Sequence, residues 1–359
     1  MKLKSPVYLI ASVILLLSLL VSCSPITYSP SAGEVKDPET RAKSYYEFFD
    51  TVSVIISYKG DSAEEFSSNC EAVSSTLNEY HRLFDIYHEY EGVNNIRTIN
   101  KSAGKEAVKV DEKLIDFLLY CKEIYTLTDG KTNVAMGSVL KLWHNERERY
   151  DEDYPEKAKL PSMENLEEKA LHTDINSLII DKEAGTVLIS DPEMSLDVGA
   201  IGKGYATEKA AEALIERGVS SYVLNIGGNI RAIGTKPSGN GWVTGITNPD
   251  KTSDEPFVCK VIIDNTSLVT SGNYERFYVV DGVRYHHIID PETLMPANYF
   301  SSVSIFISDS SLADALSTAL FCMSYEDGKA LAESLGAKVI WVTADGEVFM
   351  TDGINITNK

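Results

Sequence analysis

The sequence is short of cations relative to its acids. It has 33 Lys and Arg against 53 Asp and Glu in 359 residues, which gives a formal net charge of −20. No stretch clusters lysine and arginine densely enough to supply the cationic face that a phosphodiester backbone requires. We therefore expect no nucleic-acid partner. The hydrophobic fraction of 43% is that of an ordinary globular chain with a sizeable core.

Cysteine is also scarce, and no two cysteines form a C-x-x-C pair. Apart from one near the N-terminus, the cysteines are Cys70, Cys121, Cys259 and Cys322, scattered through helical and strand patterns. Without clustered partners they do not predict a zinc site. The sequence alone does not show which of these four cysteines would pair, so a disulfide in an exported protein is an alternative left open.

The chain has a single long hydrophobic run, at its N-terminus. Residues 7–21 are apolar and follow Lys2 and Lys4, but the run is too short and too close to the start for a membrane span. It ends at Cys23 in the sequence Leu-Val-Ser-Cys, which resembles the lipobox of bacterial lipoproteins. We predict a lipoprotein signal peptide over residues 1–22, lipidation of Cys23, and an extracytoplasmic protein lipid-anchored to a bacterial membrane. The alternatives are an ordinary signal peptide and an uncleaved anchor.

The segment after Cys23 is rich in Ser, Pro and small polar residues. Such a composition does not form a packed core, and it predicts a flexible tether over residues 23–43. Residues 44–359 remain for a single folded domain.

Hydrophobic periodicity in this domain predicts strands and helices that do not alternate regularly. Such an order favours an α+β fold with largely antiparallel sheets and packed helices. The charge-dense residues 145–159 are predicted to be a surface loop. Helices are predicted over residues 62–84, 111–128, 164–170, 203–217, 311–323 and 326–335. Strands are predicted over residues 51–58, 177–180, 187–189, 222–226, 231–233, 242–246, 258–263, 274–280, 303–307, 338–342 and 347–350.

A glycine-rich segment opens one of the predicted helices. It reads Asp197-Val-Gly-Ala200-Ile-Gly-Lys203-Gly-Tyr205. Small residues let the backbone approach a ligand, and a helix N-terminus with Lys203 beside it favours an anion. The spacing matches neither a Walker A loop nor a dinucleotide fingerprint. A tight strand-to-helix turn explains this segment equally well.

Two further segments concentrate polar residues and glycine. Asn225-Ile-Gly-Gly-Asn229-Ile is by itself a turn between two strands. In the segment Tyr285-His286-His287-Ile-Ile-Asp-Pro, adjacent histidines on a strand point to opposite faces. Only one of them can face a cleft as a base or ligand contact, and the other is exposed or structural.

Asp314 and Thr318 are four residues apart on a predicted helix. They therefore share a face and offer two oxygen ligands to a hard cation such as Mg²⁺. Alternatively, Asp314 stabilises the helix N-terminus and Thr318 bonds back to a carbonyl. Taken alone, the pair favours this second interpretation.

Taken together and in this order, the segments resemble the ApbE family of FAD:protein FMN transferases. The resemblance rests on the three segments above, on Ala313-Asp314 with Ser317-Thr318-Ala319, and on Thr270-Ser-Gly-Asn-Tyr-Glu-Arg276. Weaker similarities at Phe49-Asp-Thr, Phe84-Asp-Ile-Tyr87 and Leu142-Trp143 extend it over nearly the whole of the predicted mature chain.

The resemblance implies a T-fold-like domain that binds FAD as substrate and Mg²⁺ as cofactor. It implies transfer of the FMN moiety to a Ser or Thr hydroxyl of an acceptor protein, such as a membrane redox subunit, with release of AMP. The implied metal ligands are Asp314, Thr318 and the backbone carbonyl of Ala200. His287 is the candidate base for the acceptor hydroxyl. The implied FAD contacts are Phe49, Tyr87 near the adenine, Trp143, His144, Asn145, Asp197, Lys203 and the backbone of Ile288.

The chain departs from the family pattern at two positions. Where relatives have Thr-Gly-x-Pro it has Thr293-Leu294-Met-Pro, so we expect a different bend in this loop. Ser317 stands where some relatives have a second carboxylate, which predicts a weaker or water-mediated ligand.

Two other functions fit the same residues. In a FAD pyrophosphatase, water replaces the acceptor hydroxyl; Tyr87 near the adenine favours transfer over this hydrolysis. The third hypothesis is a flavin-binding lipoprotein without catalytic activity. The pair of Asp314 and Thr318 argues against it, because a carrier needs no metal at the pyrophosphate.

Overall fold

The computed structural model describes residues 40–58 and 61–357. The predicted signal peptide, Cys23 and the first part of the predicted tether lie outside these residues. The helices are α1 (Ala63–Phe84), α2 (Ile96–Lys101), α3 (Glu112–Leu127), α4 (Gly137–Arg149), α5 (Met163–Ala170), α6 (Gly202–Glu216), α7 (Ser310–Phe321) and α8 (Tyr325–Ser334).

The strands are β1 (Thr40–Phe48), β2 (Thr51–Tyr58), β3 (Val108–Lys109), β4 (Leu178–Asp181), β5 (Thr186–Ile189), β6 (Ser221–Ile226), β7 (Asn229–Gly234), β8 (Trp242–Thr247), β9 (Phe257–Ile263), β10 (Ser267–Gly272), β11 (Phe277–Val280), β12 (Val283–His286), β13 (Phe300–Ile307), β14 (Lys338–Thr343), β15 (Val348–Met350) and β16 (Ile356–Thr357).

An eight-stranded sheet in the order β1-β2-β6-β7-β10-β13-β14-β15 organises the domain. Its neighbouring strands are antiparallel. Helices α1, α6 and α7 cover one face, because alternate strand residues such as Leu224 and Ile305 point toward apolar stripes on these helices. The other face carries Val223 and Phe306, which pack on a three-stranded sheet of β16, β9 and β8.

The helices begin where their sequences provide caps. Ser62 accepts from the backbone N–H of Glu65, whose carboxylate accepts from the N–H of Ser62, so a capping box starts α1. The carboxylates of Asp111 and Asp309 cap α3 and α7 by accepting from backbone N–H groups of the first turn, without a reciprocal contact. Helix α6 differs, because its N-cap residue Ile201 offers no side-chain acceptor. This helix start is part of the candidate site.

The predicted α+β fold with antiparallel sheets and packed helices is confirmed. Several local predictions were wrong, and α2, β3 and β16 were not predicted. Strand β1 begins at Thr40, so residues 40–43 of the predicted tether belong to the sheet. Strand β10 was not predicted, because its Ser and Thr residues hide the strand pattern. Helix α4 was not predicted, and its last five residues lie in the predicted surface loop over residues 145–159.

Cys70, Cys121, Cys259 and Cys322 are unpaired thiols. Three of them are buried, as expected of core residues. Within residues 40–58 and 61–357, no helix is both long and apolar enough to span a bilayer.

Candidate active site

Asp314 of α7 lies against the N-terminus of α6. Its Oδ2 accepts from the backbone N–H of Gly204 at 2.7 Å, and its Oδ1 is 3.9 Å from the Nζ of Lys203. The first N–H groups of a helix lack intrahelical acceptors and carry partial positive charge. A carboxylate from a different helix therefore caps α6, which has no cap of its own.

Gly204 permits this contact because it has no Cβ. A Cβ built on Gly204 would lie 2.3 Å from the Cβ of Asp314 and 2.3 Å from the carbonyl oxygen of Ser310. At Gly204, the glycine-rich segment thus allows α6 and α7 to pack closely against each other. The turn interpretation of the sequence does not account for such a contact.

The environment of Asp314 fits a hard cation. Burial raises the pKa of its carboxyl, while Lys203, the Gly204 N–H and the Asn229 side chain oppose the shift. The amide nitrogen of Asn229 is itself buried and has no hydrogen-bond partner among the described residues. Thr318 is half-buried one turn further along α7, and Ala200 directly precedes the α6 N-cap.

Oxygen donors dominate this set. The described residues contain no group of three His, Cys, Asp or Glu side chains that could hold a metal, so a closed all-protein cage is not formed there. A carboxylate, a hydroxyl and a carbonyl match the incomplete oxygen shell that Mg²⁺ accepts when phosphate and water complete it. The residues present therefore fit the metal that the sequence implied.

His287 follows β12 and lies among cations. Its backbone N–H donates to the carbonyl of Arg276 at 3.0 Å, and its Nδ1 is buried without a partner among the described residues. Burial, together with the charges of Arg276, Arg147 and Lys203, lowers the pKa of His287 to about 3. The ring is therefore neutral near pH 7, and the surrounding charge favours an anion.

This pKa predicts an acid-sensitive stability. The unfolded chain binds a proton at His287 near pH 6.5 whereas the folded chain does not, so stability falls as pH drops from about 6.5 toward 3, by at most about 1.4 kcal/mol per pH unit. We expect His287→Gln to remove this component. Urea unfolding at pH 7.5, 6.0 and 5.0 measures the difference between the two proteins, and equal acid losses in both would contradict the assignment.

His286 has a structural role. It is 7% exposed, its Nε2 lies 2.8 Å from the carbonyl oxygen of Ala297, and its Nδ1 accepts from the N–H of Ile288 at 3.2 Å. The two histidines therefore have the separate environments that their opposite orientation predicted. Since the Ile288 N–H is already bonded, and its carbonyl accepts from Ala297, Ile288 retains only one carbonyl lone pair for a ligand.

A second group of predicted residues meets beside the cations. The half-exposed Tyr87 ring lies 5.7 Å from the His144 ring, at an interplanar angle of 35°. His144 Nδ1 is 2.8 Å from a guanidinium nitrogen of Arg147. Burial raises the pKa of Asp197, and His144, Arg147 and Arg276 oppose that shift. Tyr87, His144 and Asp197 thus lie in one region of the surface, around Arg147.

Three predicted contacts have other surroundings. Trp143 is 3% exposed, and its indole N–H donates to the Leu294 carbonyl at 3.0 Å, so it supports α4 from the core. Phe49 lies in the β1–β2 turn, where its N–H and its ring both contact His81. Asn145 is half-buried on α4, next to His144. Among the described residues, no hydrogen bond or ring contact joins Phe49 or Trp143 to the cation cluster around His287, which is formed by Arg147, Lys203 and Arg276.

Arg147 and Arg276 were not among the predicted site residues. Arg147 was hidden because residues 145–159 were expected to be a loop, whereas α4 places His144 and Arg147 three residues apart on one face. Arg276 ends a segment that the sequence had singled out, but nothing local shows which residue of that segment reaches the cluster.

The loop after His287 also differs from expectation. Leu294 takes a φ of 60°, in the left-handed region that glycine adopts without strain. The missing glycine therefore does not remove a left-handed residue from this loop. Leu294 is 7% exposed and packs with Trp143, which compensates for the backbone cost.

The chain resembles curated proteins over most of its length. An FAD:protein FMN transferase of Treponema pallidum is 34% identical over 274 residues, which are 72% of this chain and 73% of the relative. One from Klebsiella pneumoniae is 28% identical over 279 residues, covering 75% of this chain and 84% of the relative.

Solved structures agree with the sequence matches. An ApbE protein of Thermotoga maritima superposes with a TM-score of 0.76 at 28% identity, over 88% of this chain and 97% of that one. The flavin transferase ApbE of Vibrio cholerae gives a TM-score of 0.74 at 25% identity, with the same coverage of both chains. A family model described as the ApbE family matches residues 50–341. By sequence and by fold, the chain is a member of the ApbE family.

Proposed function

We propose that this protein transfers the FMN moiety of FAD to a Ser or Thr hydroxyl of an acceptor protein, in a Mg²⁺-dependent reaction that releases AMP. One observation carries the proposal: a buried carboxylate at the start of α6 lies next to Lys203, which in turn belongs to the cation cluster around His287. Curated relatives carry the name FAD:protein FMN transferase.

The cation cluster suits a pyrophosphate. The acceptor hydroxyl oxygen forms a bond to the phosphorus of the FMN half, the P–O bond to the AMP half breaks, and AMP leaves with the bonding electron pair. Lys203, Arg147 and Arg276 can neutralise the charge that develops on the phosphate oxygens. Mg²⁺, when bound by Asp314, Thr318 and the Ala200 carbonyl, supplies additional neutralisation and orients the phosphates.

His287 can accept the proton of the attacking hydroxyl at its unpartnered Nδ1. A pKa of about 3 makes it a weak base in the free protein. An anionic pyrophosphate bound among Arg276, Arg147 and Lys203 would offset the charges that lower this pKa. Substrate binding thereby raises the basicity of the ring when the hydroxyl is ready to react.

The test is an AMP and flavin assay on residues 31–359. The protein is incubated with FAD and Mg²⁺, with and without an acceptor domain carrying a Ser/Thr flavinylation motif. We expect AMP together with a fluorescent acceptor band. Free FMN and AMP regardless of acceptor would indicate the pyrophosphatase, and intact bound FAD would indicate a flavin carrier.

Arg147 offers a test of the proposed phosphate contact. We expect Arg147→Gln to raise the FAD dissociation constant about tenfold or more, because a charge-assisted hydrogen bond contributes about 1.5–3 kcal/mol. Quenching of flavin fluorescence measures the constant without metal. Arg149→Gln is the control: Arg149 is on the same helix, its side chain is 70% exposed, and it pairs with Glu146. Equal effects of the two variants would contradict a specific contact.

For the cellular location we propose a lipid anchor at Cys23, with the domain outside the cytoplasm and a membrane redox subunit as acceptor. The support is the lipobox-like sequence before Cys23. Cys23→Ala should move the protein from the membrane fraction to the soluble fraction, and retention of the variant in the membrane would contradict the anchor.

A further inference from the structure

Helices α6 and α7 are joined by two reciprocal contacts between a carboxylate and a helix start. Asp314 of α7 accepts from the N–H of Gly204 in the first turn of α6 at 2.7 Å. Glu208 of α6 accepts from the N–H of Ser310, the first residue of α7, also at 2.7 Å. Glu208 lies one turn after Gly204, and Asp314 one turn after Ser310. The second contact therefore fixes the helix register on which the first depends.

Arg231 of β7 holds Glu208 in place. The two side chains form a buried pair, with exposed fractions of 5% and 8% and a distance of 3.1 Å between Arg231 Nε and Glu208 Oε2. A guanidinium nitrogen of Arg231 also donates to the carbonyl of Ala232 at 2.6 Å. The carboxylate of Glu208 is thus held between a strand on one side and the start of α7 on the other.

The same strand face reaches Asp314. Asn229 precedes Arg231 by two residues, so both side chains point toward the helix layer. Asn229 lies beside Asp314, and Arg231 pairs with Glu208. Strand β7 therefore contacts both carboxylates, one turn apart along the helices. Glu208 and Arg231 take no part in the transfer chemistry described above.

We propose that Glu208 and Arg231 are positioning residues, which hold α7 against α6 so that the Asp314 carboxylate stays beside Lys203 in the orientation that binds the metal. This inference rests on the proposed function, because it takes Asp314 as a metal ligand. Replacing both members of a buried ion pair by apolar residues is often neutral for stability, whereas removing one member leaves an unpaired charge. A positioning role and a purely structural role of this pair therefore predict different metal affinities for the single and the double variants.

Ser310→Pro removes the N–H donor, and because Ser310 is fully buried with its nitrogen 2.7 Å from the Glu208 carboxylate, the proline ring also displaces that carboxylate. Ser310 is the first helical residue of α7, where proline is favourable, and Asp309 already has the extended backbone (φ −92°, ψ 120°) that a residue before proline adopts. We expect α7 to keep its start, and the melting temperature to fall because the ring overpacks a buried site. The dissociation constant for Mn²⁺, a probe with the oxygen preference of Mg²⁺, should rise about tenfold, because the charge-assisted hydrogen bond that fixes α7 against α6 is lost.

Two further variants separate stability from metal binding. Glu208→Gln keeps an oxygen acceptor for Ser310 but leaves Arg231 without a counter-charge, so the melting temperature should fall while the Mn²⁺ affinity stays within about threefold. Glu208→Met combined with Arg231→Met removes the acceptor and the unpaired charge together. This double variant should be more stable than Glu208→Gln and yet bind Mn²⁺ about tenfold more weakly than wild type.

Mn²⁺ binding is measured by electron paramagnetic resonance of the free ion, on residues 31–359 with FAD and without acceptor. FAD affinity is measured separately without metal and should stay within twofold. Arg217→Met is the matched control, because Arg217 joins the far end of α6 to Asn69 and Ser68 of α1. It should lower the melting temperature without changing Mn²⁺ affinity.

The outcomes are distinguishable. Mn²⁺ affinity that follows melting temperature through all variants, Arg217→Met included, would show that the pair is only structural. Wild-type affinity in Ser310→Pro and in the double variant would likewise overturn the inference while leaving the proposed function intact. Absence of Mn²⁺ binding by the wild-type protein would overturn the proposed metal site, and this inference with it.

Discussion

Replacement of Asp314 by asparagine is expected to lower the rate of AMP release from FAD by about a thousandfold or more, because charge stabilisation at a transferring phosphoryl group contributes on this scale. Fold stability should be kept or slightly increased. An asparagine oxygen can still accept from the Gly204 N–H, and burial already disfavours the charged form of Asp314, so a neutral side chain of the same shape relieves that cost. Chromatography of AMP and urea unfolding provide the two readings.

Asp314→Ala is the companion variant. It removes both the charge and the cap of α6, so it should lose activity and also about 1 kcal/mol of stability, the usual effect of losing a helix cap. A tenth or more of wild-type activity in Asp314→Asn would remove Asp314 from the proposed metal site.

Gly204→Ala is expected to separate α6 from α7. The new Cβ would lie 2.3 Å from atoms of Asp314 and Ser310, and real Cβ atoms do not approach neighbours this closely. Overpacking of this kind typically lowers the free energy of unfolding by about 1–3 kcal/mol. Because Asp314 must move with α7, we expect AMP release to fall about a hundredfold as well, as geometric misplacement of about 1 Å can do.

Gly328→Ala is the matched control for this variant. Gly328 is also a helical glycine, in α8, but a Cβ there would meet its nearest neighbour, the Leu320 side chain, at 3.4 Å. Alanine should stabilise α8 by up to about 1 kcal/mol through helix propensity. If Gly204→Ala were as stable and as active as Gly328→Ala, the close approach of the two helices would not be needed.

Local sequence patterns predicted those parts of the candidate site that depend on a helix start or on one helix face. The glycine-rich start of α6 and the spacing of Asp314 and Thr318 are readable because short-range rules govern helix starts and helix faces. The α+β class followed from the order of strand and helix patterns. Strand β1 escaped because its exposed residues alternate with half-buried ones within a polar segment, so no apolar run marks it.

Tertiary relations account for the rest of the site. Arg231 and Glu208 are 23 residues apart, and Glu208 and Ser310 are 102 apart. Nothing in either local sequence states that they meet. Asp314 as the cap of α6 is similar: the sequence predicted a helix start in the glycine-rich segment and placed Asp314 on another helix, but nothing in it showed that the two meet. Arg147 could not be placed beside His144 because the charge-dense residues 145–159 were predicted to be a loop, whereas α4 extends to Arg149.

Leu294 has a consequence for the entropy of the loop beside His287. Glycine samples far more backbone conformations in the unfolded chain than leucine does, so a glycine costs more entropy to order. Leucine at φ 60° instead carries about 1–2 kcal/mol of steric strain, offset by burial of a side chain that is 7% exposed. Burial of the Leu294 side chain therefore restricts the loop to fewer backbone conformations than a glycine at this position would allow.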